Sequence, residues 1–169
     1  KNLESRAYED MALPIGKGQT ISQPYTIATM LSLLDLKKGQ KVLEIGSGCG
    51  YVLALISKIT GNKGKVFGVE IVKELAEKSK TNIKAYKNVK VYNRDGRQGL
   101  KEKSPFDRII ISAACGEIPK KILNQLKDKG IVVAPVGPQH WQSLVAIQRE
   151  KDDFKIKEKL PGFVFVPFV

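Results

Sequence analysis

Apolar residues along this chain come in short runs of two kinds, and their order predicts an alternating fold. Val42-Leu43-Glu44-Ile45 is a near-continuous apolar run, as are Lys65–Ile71, Val89–Asn93, Phe106–Ala113 and Gly130–Val136. Runs of this length bounded by turn residues are the pattern of strands buried on both faces. Between them the spacing becomes helical. Pro24 opens a helix carrying Ile27, Met30, Leu31 and Leu34, with Ser22 as its expected N-cap. Further helices are predicted over Tyr51–Thr60, over Lys73–Tyr86 with Leu75, Ile83 and Tyr86 inward, and over Ile118–Leu126, which Lys129-Gly130 would close. Ser143–Glu150 and Phe154–Val166 read as a hairpin turning at Lys151-Asp152-Asp153, and residues 1–22 read as irregular.

The predicted fold is α/β: a doubly wound, mostly parallel seven-stranded sheet with helices on both faces and a C-terminal antiparallel hairpin, Rossmann-like in outline. The 169 residues suit one domain, 1–169. Within it, 1–40 forms a loop and leading helix, 41–137 the core and 138–169 the hairpin. Composition is that of a globular protein, 42% hydrophobic and 27% charged. The net charge of +12 favours acidic partners, yet the lysines are scattered in sequence and form no aromatic-studded stripe. A solvated surface is therefore preferred to a nucleic-acid face. Cys49 and Cys115 lack metal-ligand spacing, and no metal is expected. No apolar run reaches membrane-spanning length and no signal peptide is visible, so a reduced, cytoplasmic setting is expected, with no membrane partner. The chain starts at Lys1 rather than Met.

Candidate chemistry gathers at the carboxyl ends of the strands, where open parallel sheets bind ligands. Gly46, Ser47 and Gly48 begin a G-x-G-x-G turn after the first strand, and Glu44 lies just before it. Glu70 ends the second strand, where a carboxylate can accept hydrogen bonds from both ribose hydroxyls of an adenosine. Asp95-Gly96 follows the third strand and offers an acceptor for an exocyclic amine. A dinucleotide and an adenosyl sulfonium both fit Glu70. Glu44 would repel a pyrophosphate and suits an ammonium or a sulfonium. Singly, each feature has a plain structural explanation as a turn, cap or surface carboxylate; jointly they resemble a class I S-adenosylmethionine-dependent methyltransferase.

The stretch Leu13–Tyr25, LPIGKGQTISQPY, sharpens this. Ile15–Ser22 with Pro24 match the Ile-Gly-x-Gly-Gln-Thr-Ile-Ser-x-Pro signature of the protein-L-isoaspartate (D-aspartate) O-methyltransferases. The resemblance continues through VLEIGSGCGY, NRDGRQG, PFDRIIISAA, QLKDKGIVVAPVG and GFVFVPF, essentially the whole chain. It implies an enzyme that methylates the free α-carboxylate of L-isoaspartyl residues in damaged proteins, starting repair through a succinimide, with S-adenosyl-L-methionine as donor and S-adenosyl-L-homocysteine as product. It implies Ser22 at the catalytic position, with Gln19, Thr20 and Ile21 lining the pocket beside it. It also implies Gly46, Ser47 and Gly48 at the methionine part, Glu70 at the ribose, Asp95 and Gly96 at the adenine, and Ala113, Ala114 and Val166 near the substrate. Cys49 stands where the family usually has Ser or Thr. The segment before Ala7–Asp10 and the tail past Val169 are shorter than the family pattern, from which looser cofactor binding is expected. Two alternatives stay open: a nucleic-acid methyltransferase on the same fold, and a non-catalytic adenosyl-ligand-binding protein. The first would want an N/D-P-P-Y/F motif where Ser112-Ala113-Ala114-Cys115 stands. The sequence leaves the oligomeric state open.

Overall fold

The computed structural model describes residues 3–168; Lys1, Asn2 and Val169 of the expected domain lie outside the described residues. The first departure from the sequence reading comes early. Leu13–Gly16 (β1) and Gln19–Ile21 (β2) pair antiparallel as a small hairpin, where 1–22 reads as irregular. Lys17 at the turn adopts positive φ between two glycines that do the same. Four- and three-residue strands paired only to each other leave almost no hydrophobic period to detect.

Helix α1 spans Pro24–Leu34, with proline at the first turn as expected. Its cap is not Ser22. Gln23 occupies the N-cap position and makes no capping bond of its own. Asp10 supplies the acceptor from outside, taking the Tyr25 N–H at 3.0 Å and the Gln23 amide at 3.3 Å.

Lys41–Ile45 (β3), Tyr51–Thr60 (α2), Lys65–Glu70 (β4), Lys73–Asn82 (α3), Val89–Asn93 (β5) and Phe106–Ile111 (β6) follow the predicted alternation. α3 stops four residues short of the expected Tyr86, with Ile83 as its C-cap. The expected helix over Ile118–Leu126 shrinks to Lys120–Leu123 (α4). Leu126 instead begins β7, Leu126–Val136. Lys129-Gly130 is therefore not a helix end. Leu126 pairs with Phe106 and Ile131 with Arg108, so the residues between loop out of the strand, with Lys129 at positive φ. Gln142–Glu150 (β8) and Asp153–Phe163 (β9) form the terminal hairpin. β9 ends at Phe163, and residues 164–168 turn back toward the sheet's carboxyl edge.

The sheet order is β5-β4-β3-β6-β7-β8-β9. Neighbours from β5 to β7 are parallel; β8 and β9 are antiparallel. Seven strands, doubly wound, with a C-terminal antiparallel pair, are what the hydrophobic pattern predicts. Alternate residues feed two cores. Val42, Val66, Ile110 and Val133 meet Met30, Leu34, Leu53 and Ile56 from α1 and α2. Leu43, Ile45, Ile109 and Ile111 pack with Leu100, Ile122 and Leu126 on the other face. The chain runs outward from β3 to β5, then returns to place β6 beside β3. That reversal is the switch point where such sheets bind ligands.

Candidate active site

The loop Gly46–Gly50 is fixed by backbone bonds before any ligand is considered. Gly46 and Ser47 N–H both reach Val69 O, at 2.8 and 3.1 Å. Gly46, Gly48 and Gly50 all have positive φ. At Gly50 a side chain is also excluded by space, because an added Cβ would lie 2.6 Å from Ser79 Oγ of α3. Glu70 then staples the loop from the next strand. Its Oε2 accepts the Gly48 N–H at 2.8 Å and its Oε1 accepts the Val72 N–H at 2.9 Å. Buried at the end of β4, this carboxylate shapes the glycine turn as well as facing the cleft.

Glu44 is the most unusual charge in the molecule. It is 1% exposed. Ser112 Oγ, across the switch point on the residue after β6, donates to Oε1 at 2.9 Å. Oε2 is buried with no partner. Burial pushes the carboxyl up to about 8, offset in part by the Ser112 hydrogen bond and reinforced by the charge of Glu70. An unpartnered buried carboxylate oxygen suits a cationic ligand group, which would restore its charge and satisfy it together.

Three cavities converge here. Glu44, Ser47, Met30 and Val52 line the first. Gln19, Glu70, Val72, Gly96 and Phe168 line the second. Ser22, Gln23, Val164 and Val166 line the third. Thr20 and Ser112 line all three, and Ser22 lines both the first and the third. The β1–β2 hairpin roofs the first two through Ile15 and Thr20. Two contacts with α3 hold it down: Lys17 to Glu74 at 2.6 Å and Lys78 Nζ to Ile15 O at 3.4 Å.

Most residues singled out in the sequence arrive at these cavities. Gly46, Gly48 and Thr20 border the first and second, Ile21 the first, and Ala113 the second. Two do not line any of the three. Asp95 turns its carboxylate onto Arg97, accepting the backbone N–H at 2.8 Å and the guanidinium at 2.6 Å, so its carboxyl lies below the usual range. Gly96 alone carries that segment to the cavity wall. Ala114 acts through its backbone: its N–H donates to Val166 O and its carbonyl accepts from Phe168 N–H, both at 2.8 Å. Gln142, fully buried, takes the Phe165 N–H at 2.9 Å and fixes the same segment.

Sequence reasoning marked Ser112 as one of the strand-end candidates without assigning it a task, and gave no site role to Ile15 or Phe168. Ser112 carried the available signal, a small polar residue ending a buried strand. Ile15 and Phe168 carry none, since only the hairpin and the returning tail bring them in. Among the described residues no group of three potential metal ligands occurs, and no helix is long and apolar enough to cross a membrane.

A doubly wound sheet with a glycine turn and two buried carboxylates, Glu44 and Glu70, at its switch point has the architecture of the Rossmann-like S-adenosylmethionine-dependent methyltransferases. Comparison with known proteins narrows the class. The family model "Protein-L-isoaspartate(D-aspartate) O-methyltransferase (PCMT)" matches residues 1–169, and the chain belongs to that family. It is 42% identical over 169 residues to protein-L-isoaspartate O-methyltransferase 2 of Archaeoglobus fulgidus, covering 99% of this chain and 77% of that one. It is 46% identical over 172 residues to a Methanococcus maripaludis protein-L-isoaspartate O-methyltransferase, covering 100% and 80%. A solved protein-L-isoaspartate O-methyltransferase superposes with a TM-score of 0.90 at 31% identity; the match covers 99% of this chain and 55% of that longer one. A Plasmodium falciparum structure in complex with S-adenosyl-L-homocysteine superposes at 0.82 and 26% identity, covering 96% and 81%.

Proposed function

We propose that this chain methylates the free α-carboxylate of L-isoaspartyl residues in damaged proteins and peptides, forming an ester that closes to a succinimide and so begins repair. The supporting observation is the meeting of three cavities at Thr20 and Ser112, with Glu44 at one, Glu70 at another and Ser22 at the third.

In this reading Glu44, Gly46, Ser47 and Gly48 hold the methionine part of the donor, and Glu70 the ribose. Gly96, with Asp95 set by Arg97, flanks the adenine. Gln19, Thr20 and Ile21 close over it on the hairpin. Bound S-adenosylmethionine supplies an electrophilic methyl group on a sulfonium. The acceptor is already a nucleophilic carboxylate, so no residue has to remove a proton. Ser22 donates a hydrogen bond that orients the carboxylate. Ala113 and Val166 wall its approach, and Ala114 holds Val166 through its backbone. The hairpin and the 164–168 segment exclude water. Orientation of two bound reactants and removal of water can account for roughly 7–11 kcal/mol of a barrier. Two opposite charges are consumed in the transfer, which a low-dielectric site favours.

We place this activity on soluble substrates in a cytoplasmic setting. The test uses tritiated S-adenosylmethionine with an isoaspartyl peptide, its normal aspartyl isomer and transfer RNA. Base-labile label on the isoaspartyl peptide alone is expected. Label in RNA, or cofactor binding with no transfer to any acceptor, overturns the reading.

A further inference from the structure

A groove lined by lysines lies at the opposite end of the sheet. Lys41 and Lys65 are the first residues of β3 and β4 and are register partners. Lys63 sits in the turn before β4, Lys87 just before β5, Lys90 within β5 and Lys103 before β6. These six lysines line one open groove of about 730 Å³. They equal half of the formal +12. No Asp or Glu lines the groove. Among the described residues none of the six makes an ion pair. The nearby acids are already engaged: Asp107 holds Lys127 at 2.7 Å and the Lys41 N–H at 2.7 Å, and Glu102 holds Arg94 at 2.9 Å.

The groove is built rather than incidental. The Lys41 ammonium lies 5.9 Å from the Phe67 ring centroid and 5.4 Å from that of Phe106, which fixes its position against the sheet edge. Burial and the neighbouring charges of Lys65 and Lys127, with a smaller contribution from Lys103, lower its pKa, and the Asp107 carboxylate offsets this only in part. Like charges crowded in a groove that no carboxylate lines cost free energy that an anion would release.

We propose that this groove is a binding site for the phosphate backbone of single-stranded nucleic acid. Its size exceeds what a single phosphate needs, and its charges follow the starts of four neighbouring strands, β5, β4, β3 and β6. All of them are lysines, point charges suited to sequence-independent phosphate contacts; carboxylates of an acidic peptide are held best by the arginine fork, which the groove lacks. Tyr86, half-buried, adds an aromatic wall of the kind bases stack on. The cofactor cleft lies at the other ends of the same strands, roughly 15 Å away along a five-residue strand. The two sites can be filled together, and nucleic acid in the groove is not presented for methylation.

The test is fluorescence anisotropy of a labelled oligothymidylate against the parent chain and two quadruple or triple variants at several salt concentrations. K63Q/K65Q/K87Q/K90Q removes groove charge. K155Q/K157Q/K159Q removes exposed charge from β9 as a control. The groove variant is expected to lose roughly tenfold or more in affinity, and its log–log salt dependence to flatten by about 3, at about 0.7 per lost phosphate contact. The control is expected to stay within about threefold of the parent. Equal loss in both variants, no binding by the parent, or equally tight competition by polyglutamate or by tripolyphosphate overturns the proposal. Cofactor binding by both variants, measured in parallel, shows that they are folded; this readout is independent of which acceptor the enzyme methylates.

Discussion

Replacing Glu44 with glutamine should stabilise the empty protein and weaken its hold on the cofactor. In the folded chain the Glu44 carboxyl is raised from its ordinary 4.5 to about 8 because it is buried. Between those values the native state keeps a proton that the unfolded chain has lost. Stability is therefore full below pH 4.5 and falls as pH rises through 8. At about 1.4 kcal/mol per pH unit, the loss reaches on the order of 5 kcal/mol once Glu44 is ionised. Glutamine escapes this loss and can still accept from Ser112. Its amide nitrogen takes the place of the unpartnered Oε2, at a cost of about 1–3 kcal/mol. A net gain of roughly 2–4 kcal/mol at pH 8 follows, visible as a rise in Tm on the order of 5–10 °C. The same group couples cofactor binding to pH. A cationic ligand needs Glu44 ionised, and at pH 7 reaching that state costs about 1.4 kcal/mol, so the parent should bind about tenfold below its high-pH limit. Calorimetry with S-adenosyl-L-homocysteine at pH 6 and pH 7 should show Kd falling about tenfold in the parent, with proton release, and hardly changing in Glu44→Gln. A variant no more stable than its parent at pH 8, or a parent Kd flat across that interval, refutes the reasoning.

Ser22→Ala should lower kcat on an isoaspartyl peptide by about 10²-fold, the cost of a misoriented reactant, and leave cofactor Kd unchanged. Because Ser22 does not cap α1, its Tm should hardly move. Asp10→Ala removes the acceptor for the Tyr25 N–H and should cost about 0.5–2 kcal/mol in a urea titration, with little change in m. Gly96→Ala drives a methyl group into Ile45 and narrows the second cavity. It should cost about 1–3 kcal/mol of stability and raise cofactor Kd, while a matched Gly116→Ala, where the new methyl meets nothing, should do neither.

The core of this fold is written locally. β3 to β6 and their helices each bury a continuous apolar run or a helical stripe, and such patterns survive in one dimension. The loop Gly46–Gly50, Glu44 and Glu70 are legible for the same reason, since each sits at a strand end whose position the run itself announces. Where the reading slipped, the deciding contact was distant in sequence. Leu126 reads as the end of a helix but pairs with Phe106 in the sheet. Ser22 reads as a cap, yet Asp10 does that work from across a turn. Thr20, Ser112 and Ser22 border a common site only because the β1–β2 hairpin folds over the switch point.

The lysines mark the sharpest division. Their number and the +12 charge are properties of the sequence alone, and spread along the chain they look like an ordinary solvated surface. Parallel strands all start at one edge of the sheet, so residues at the starts of β3, β4, β5 and β6 are brought together there although up to about sixty positions separate them. The same geometry gathers Glu44, Glu70 and Ser112 at the other edge. For β3 to β6, sequence determined that the strands exist and which residues stand at their ends; their parallel order, which depends on long-range pairing, decided that one edge carries the carboxylates and the other the ammonium groups.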